Sequence, residues 1–379
     1  MSSAKPSLEL LRSLTDEHVL RAVMDQRRMT RTEIAARTGI SKPTISDSVR
    51  RLSEAGVLVD TGERTTGRGR AGSYYSLSEE CGAVMIASIT PSGVVAEAAD
   101  AFGRVVAREQ ERIGRSPGVE VAADALAEVA ARLRRAVRGS IRCAVVSAAD
   151  PVDRETGRLV ELPDVPFLVG ELDPVAVLEP LVEGPVLVDN DVNWAARAER
   201  GAGRAAGVDD FVYVYLDEGL GCAVVTDGAV RRGHRGLAGE IAHLRTEGPD
   251  GAVVPLIEVF AALGLRRRGS TAVDVEALRS AIEADGEAGD RMRRALARAV
   301  RGVFAAAVAL ADPQLIVLGG AWGTEPAMVR AIAGLFAEAP RHVPVVPAEV
   351  PEPQVAGARA RGVEELRDRI IAGSSPRPS

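Results

Sequence analysis

The sequence predicts an α/β chain in two parts, a winged helix-turn-helix in front and a two-lobed α/β body behind it. Three observations carry this expectation. Thr30 to Ser46 hold two helix signals separated by a glycine turn, and a pair of strand signals follows at once. From Gly82 onward, strand and helix patterns interleave. At 379 residues and 46% apolar composition, the chain exceeds what one hydrophobic core serves, so two or three domains are expected.

Each front element has a local reason. Val19 to Asp25, with part of the preceding segment, fits a helix packed behind the reader. Thr30 caps the next helix while Glu33, three residues on, reaches back to complete a capping box. Gly39 sits where the chain must turn sharply. Ser41 caps the following helix, whose apolar positions Ile45, Val49 and Leu52 keep a helical period. Lys42, Thr44, Ser46, Asp47 and Arg50 are left for its outer face. Gly56 breaks the pattern, Val57 to Val59 begin a strand, and Tyr74 to Leu77 return as a second one. The tip between them, Gly67 to Gly72, is glycine-rich and basic, so Arg68 and Arg70 are placed to reach phosphates or a minor groove. The helix opened by Ser41 is the one that enters a major groove in such a unit. The expected DNA contacts are therefore Ser41, Lys42, Thr44, Ser46, Arg50, Arg68 and Arg70.

Charge agrees once it is divided. The chain carries a net −6, yet residues 1–80 hold 13 basic and 11 acidic side chains, so the negative excess lies entirely behind the reader. Cys81, Cys143 and Cys222 are odd in number and far apart, forming neither a disulfide framework nor a C-x-x-C pair. No targeting or membrane-spanning segment is evident, and a cytoplasmic location is expected.

In the body, Val84 to Ile89 and Val94 to Ala99 read as paired strands, Val121 to Val137 as an amphipathic helix and Cys143 to Ser147 as another strand. Pro185 to Val188 form a strand ending at Asn190-Asp191-Val192-Asn193, with a helix from about Trp194 to Arg200. Phe211 to Leu216 and Gly221 to Thr226 suggest a hairpin, and helical patterns return at Val254 to Leu263, Val273 to Ala284 and Gly289 to Ala311. Leu315 to Leu318 form a strand stopped by Gly319-Gly320. No internal repeat is visible. Expected boundaries are 1–80 for the reader, 81–187 and 188–372 for the lobes, and 373–379 for a disordered tail.

Two clusters could do chemistry. Asn190, Asp191 and Asn193 follow an apolar strand, the place where open α/β sheets present ligand groups. Their short polar side chains suit the hydroxyls of a polyol, although Asn/Asp clusters also make ordinary turns. Glu240 and His243 lie three residues apart in Gly236-Leu237-Ala238-Gly239-Glu240-Ile241-Ala242-His243, flanked by permissive glycines, and Glu258 follows in a helix-like stretch.

From about Val19 to Ala360 the combination resembles the ROK family (repressors, open reading frames and sugar kinases), specifically its regulators with a winged helix-turn-helix in front. The resemblance implies a sugar-kinase-like body of the actin-like ATPase superfamily. It also implies a sugar site at Asn190, Asp191, Glu240, His243 and Glu258, with Asp191 at the kinases' catalytic-base position. Asp312-Pro313 through Gly319-Gly320 is similar to the strand and glycine pair near the kinases' nucleotide site.

The departures matter as much. Where family kinases carry Asp-x-Gly-Gly-Thr, this chain has Ser88-Ile89-Thr90-Pro91-Ser92, and Pro91 lacks a backbone donor for phosphate. Where they carry Gly-Thr-Gly-x-Gly, it has Asp217-Glu218-Gly219-Leu220-Gly221, whose carboxylates would repel a triphosphate. Residues 247–255 contain no cysteine to join His243, so the family's zinc site is not expected. Ala149-Asp150-Pro151-Val152-Asp153 departs from the family's proline-glycine turn.

The expectation is a non-enzymatic transcriptional regulator, a repressor, that senses a sugar or sugar phosphate and uses no metal or cofactor. Its partners would be an inverted-repeat DNA operator and further copies of itself, as a dimer or tetramer. A ligand-blind regulator with a purely dimerising body and a bifunctional sugar kinase remain alternatives.

Overall fold

The computed structural model describes residues 8–66, 71–115, 117–162, 167 and 169–374. The reader comprises α1 (Leu8–Gln26), β1 (Met29–Thr30), α2 (Arg31–Thr38), α3 (Lys42–Glu54), β2 (Leu58–Arg64) and β3 (Ser73–Leu77), with its strands in the order β1-β3-β2. The local signals hold. Glu33 N donates to Thr30 Oγ1 (3.2 Å) and Thr30 N to Glu33 Oε2 (2.8 Å), closing the capping box. Gly39 takes φ 72°, the left-handed conformation that ends α2. Ile45, Val49 and Leu52 are buried against Val19, Leu20 and Val23 of α1. Asp16 of α1, also buried, accepts from Ser48 Oγ (2.5 Å) and Arg51 Nη2 (2.6 Å), which fixes the roll of α3 on its support.

The first lobe adds β4 (Ala83–Thr90), β5 (Gly93–Ala99), β6 (Val105–Glu111), α4 (Val119–Ala136), β7 (Ile141–Ala148), α5 (Pro174–Leu178) and β8 (Val186–Asn190). Its sheet runs β6-β5-β4-β7-β8, with β6, β5 and β4 antiparallel to their neighbours and β4, β7 and β8 parallel. After α6 (Asp191–Ala202) come β9 (Phe211–Leu216), β10 (Leu220–Thr226), β11 (Ala229–Val230), β12 (Arg245–Glu247), β13 (Val253–Pro255), α7 (Leu256–Ala262), α8 (Val275–Glu283), α9 (Gly286–Ala311), β14 (Leu315–Gly319), α10 (Pro326–Phe336), β15 (Val345–Pro347) and α11 (Pro353–Ser374). The second large sheet runs β11-β10-β9-β14-β15, again a meander followed by two parallel additions. The two sheets therefore repeat one topology, although no repeat is visible in the residues. The reason is physical: strand order survives any substitution that keeps a strand apolar.

Three placements differ from the expectations. Helix α6 begins at Asp191 rather than near Trp194, because Asn190 caps it, accepting from Val192 N (3.0 Å). Residues 353–374, divided by the expected boundaries between the second lobe and the tail and given no helix there, form α11, which lies on the first lobe. Val363, Leu366 and Ile370 of α11 share a core with Val84, Val145 and the α1 residues Leu20 and Val23. It continues to Ser374, into the segment expected as a tail. Strands β1, β6, β11, β12, β13 and β15 and helices α5, α10 and α11 were not anticipated.

Helix α6 is the pillar between the lobes. Trp194 faces the α11 core and donates its Nε1 hydrogen to Val146 O of β7 (3.0 Å), while Val192, Ala195 and Ala196 pack on Phe211 and Tyr213 of the second sheet. Among the described residues no helix is long and apolar enough to cross a membrane.

Candidate functional site

A cleft of about 690 Å³ opens between the lobes. The two equivalent hairpin turns, β4–β5 and β9–β10, meet there, together with the β8–α6 junction and the segment after β11. Asn190, Asp191, Glu240 and His243 all line it. Sequence reasoning thus brings together four of its five ligand candidates.

The fifth does not join them. Glu258 is absent from the lining, its side chain is 52% exposed, and it pairs with Arg266 (3.3 Å). Helix α7 begins two residues earlier, and its 100° rotation per residue turns Ile257, not Glu258, into the cleft.

Asn190 also has a different task from the one expected. Its Nδ2 donates to Ala148 O (3.3 Å) and Asp150 O (3.2 Å), and its Oδ1 caps α6. Both amide hydrogens are engaged, so at most an acceptor lone pair is left for a ligand. Its neighbour Asp189 is buried and held by Asn193 Nδ2 (2.8 Å) and by Arg232 (3.1 Å). Burial raises the Asp189 pKa, and Arg232 works against that rise.

Asp191 sits on the first turn of α6, where backbone N–H groups favour a carboxylate. Burial nevertheless pushes it up to about 7, with the Val192 N–H pulling down and the charges of Glu240 and Asp217 pushing further up. Glu240 is pushed up to about 7 by the protein around it. Its residue stays exposed to the cleft, so water there screens part of this effect. Gly239 needs its φ of 103°, since a Cβ would overlap the Cys222 carbonyl. Two acids near 7 can donate as well as accept, which suits hydroxyl recognition.

The sequence pointed to a remodelled turn at Ala149–Asp153 but not to Asp150 as a site group. Asp150 lies two residues beyond the end of β7, is 3% exposed, and its Oδ2 has no hydrogen-bond partner among the described residues. Burial, then Asp191 and Glu240, push its carboxyl up to about 8. The detectable signal was an acid two residues after a buried apolar strand.

Both carboxylates of the 217–221 loop are engaged within the protein itself. Asp217 Oδ2 accepts from Ala321 N (2.8 Å) and Tyr215 Oη (3.1 Å), and Trp322 Nε1 donates to Asp217 O (3.1 Å). Glu218 accepts from both terminal nitrogens of Arg115 (2.7 and 2.9 Å) and from Arg267 (2.6 Å). The hydrogen bond from Arg115 leads the effects that hold its carboxyl below the usual range. Because Arg115 belongs to the first lobe, this bidentate pair crosses the cleft.

On the reader, Ser41, Lys42, Thr44 and Arg50 are exposed and Ser46 is half-buried. The Ser41 hydroxyl caps α3, accepting from Thr44 N (3.4 Å) and bonding Thr44 Oγ1 (2.8 Å), while Arg50 pairs with Asp47 (3.1 Å) on the same face. The wing base is closed by Thr65 N to Gly72 O (3.0 Å). Arg68 and Arg70 lie outside the described residues.

A winged helix-turn-helix DNA-binding model matches residues 12–59, and the ROK family model matches residues 94–359. The chain belongs to the ROK family. Relatives of both kinds are similar to it. A xylose repressor of Caldicellulosiruptor bescii is 21% identical over 62% of this chain, although the match spans only 59% of that repressor. An N-acetylmannosamine kinase of Citrobacter koseri is 29% identical over 59% of this chain and 75% of the kinase. Among solved structures, a ROK family transcriptional regulator described as a homologue of the E. coli MLC protein superposes with a TM-score of 0.67 at 17% identity, covering 96% of this chain and 99% of that one. A ROK hexokinase from Thermus thermophilus gives 0.57 at 27% identity, covering 76% and 99%. The front reader and the ROK body thus coexist in one chain, and the family contains regulators and kinases alike.

Proposed function

We propose that this ROK protein is a transcriptional regulator, a repressor, whose body binds a sugar and transfers no phosphate. The supporting observation is the occupation of the phosphate positions by Asp217 and Glu218. The Ala321 N–H beside Gly319-Gly320 donates to the Asp217 carboxylate and is not free for a phosphate. The arginines that could steady a moving phosphoryl group are held by Glu218. Proline at 91 removes a donor from the other turn. Asp191 then remains as a ligand group without a phosphoryl donor to work on.

The route from cleft to reader is short. A ligand on Asp191 touches the first turn of α6, α6 packs along α11, and α11 holds α1. Arg367 of α11 donates to Ala101 O (2.8 Å) and to Met24 O at the end of α1 (3.2 Å). Ligand-driven lobe closure would therefore tilt the reader and, in a dimer, alter the spacing of two α3 helices on an inverted-repeat operator. The protein would work in the cytoplasm, with its DNA.

The test is binding to the DNA upstream of its own gene at fixed salt, with and without a panel of sugars and sugar phosphates, beside an assay for sugar-dependent ADP production. Specific binding altered by one sugar, without turnover, is the expected result. ADP production lost in Asp191→Ala would establish a kinase instead, and the absence of any protected operator would remove the regulator reading.

A further inference from the structure

The turn that joins β9 to β10 holds a carboxylate on which two arginines converge. Glu218 Oε1 accepts from Arg115 Nη2 (2.9 Å) and Arg267 Nη2 (2.6 Å), and Oε2 accepts from Arg115 Nη1 (2.7 Å). The arginines come from opposite sides: Arg115 lies between β6 and α4 in the first lobe, and Arg267 follows α7 in the second. Arg115 and Glu218 both line the cleft. The turn itself is pinned. Val273 N donates to Glu218 O (2.9 Å), and the preceding Asp217 accepts from Ala321 N and Trp322 Nε1. The backbone thus fixes where the carboxylate stands, and the two guanidiniums gather around it.

Guanidinium groups that share one oxygen and fork onto a second have the geometry that receives a phosphate, with the carboxylate standing where phosphate oxygens would lie. Arg267 Nε has no hydrogen-bond partner among the described residues, a further donor that the two carboxylate oxygens leave unused. With Glu218 in place, an incoming phosphate would meet a like charge only a few Å away. We propose that Arg115 and Arg267 form an anion seat kept filled by Glu218, so that the cleft accepts a free sugar and rejects its phosphate ester. Glu218 is then the residue that sets this preference. The preference rests on the sugar-binding reading above and narrows its ligand class to unphosphorylated sugars, whereas the seat can be tested without any sugar. Removing the carboxylate leaves two guanidiniums uncompensated, and an external anion relieves that state.

The experiment is calorimetric titration of the full chain at pH 7 and fixed ionic strength. Inorganic phosphate comes first, then glucose, mannose and N-acetylglucosamine beside the phosphate ester of each. Glu218→Ala should bind inorganic phosphate at least about tenfold more tightly than wild type, and the gain should vanish when Arg115→Ala is added. Glu218→Gln keeps the shape and drops the charge; it should move in the same direction and replaces the alanine variant if melting shows that one unfolded. For a sugar that binds, wild type should prefer the free form over its ester at least about tenfold, and Glu218→Ala should narrow the gap to about twofold. Arg108, the other arginine of the cleft lining, is the control. A phosphate gain lost in Arg108→Ala but kept in Arg115→Ala overturns the seat. So does phosphate binding no tighter in the folded Glu218 variants than in wild type. An ester that binds wild type as well as its parent sugar removes Glu218 from the selecting role. Failure of every sugar to bind overturns the sugar-binding reading and the preference with it, while the phosphate titration still decides the seat.

Discussion

Replacing Asp150 by asparagine should stabilise the body, by an amount that grows with pH. The carboxyl ordinarily titrates at 3.8 and is pushed up to about 8 in the folded chain, first by burial and then by Asp191 and Glu240. The folded state therefore holds a proton that the unfolded state releases. For an acid shifted in this direction, stability is unaffected below about pH 4 and declines as pH rises, until the folded carboxyl itself ionises near pH 8. One pKa unit corresponds to about 1.4 kcal/mol, so by pH 7 the cost is on the order of 4 kcal/mol. Asp191 and Glu240 share the repulsion, and a measured gain of about 2–4 kcal/mol is expected. Asparagine keeps the shape and cannot ionise. The assay is chemical denaturation of wild type and Asp150→Asn between pH 4.5 and 8.5, followed by tryptophan fluorescence. Both tryptophans, Trp194 and Trp322, are buried in the body, so the signal reports that region and not the reader. The two curves should converge at the acid end and separate steadily toward pH 8. A difference independent of pH, or a variant less stable than wild type at pH 8, would refute the reasoning.

Other substitutions probe the remaining links. Asp16→Ala removes the acceptor for Ser48 and Arg51, so the reader should lose about 2–3 kcal/mol and bind DNA more weakly, while sugar binding to the body is unchanged; gel shift and calorimetry read the two separately. In Gly357→Val the new Cβ would overlap the Trp194 carbonyl, forcing α11 off α6 at a cost of about 1–3 kcal/mol. Sugar should then cease to alter DNA affinity even where it still binds, and an intact sugar effect on DNA would remove α6 and α11 from the coupling route. Glu218→Gln discards the charge that links Arg115 to the second lobe; faster amide exchange around Arg115 is expected, and unchanged exchange would show that the pair does not hold the cleft.

The reader was largely legible because its determinants are local. A capping box needs two residues three apart, and a left-handed turn needs a glycine at one position; Thr30, Glu33, Gly39 and Ser41 meet these conditions within the chain segment itself. In the body, strands such as β4, β7 and β9 were legible from apolar runs, whereas α11 was not. Its three glycines and scattered arginines dilute the helical period, although Val363, Leu366 and Ile370 still keep a spacing of three to four. Glycines 357 and 362 sit in this helix because it must approach α6 and the first sheet closely, a requirement that exists only once those partners are in place.

The sequence by itself determined the helix-turn-helix, the strand-rich body and the acids Asp191 and Glu240 beside His243, because residue type and short spacing suffice for these. Only the tertiary structure decided that Glu258 turns away to Arg266, that Asn190 is engaged with backbone carbonyls, and that Asp150, just past β7, is buried where Asp191 and Glu240 act on its charge. It likewise decided that Glu218 links the lobes through Arg115. The charge on a carboxyl and the work it can do depend on burial and on neighbours tens to hundreds of residues away, and those are set by how the elements pack.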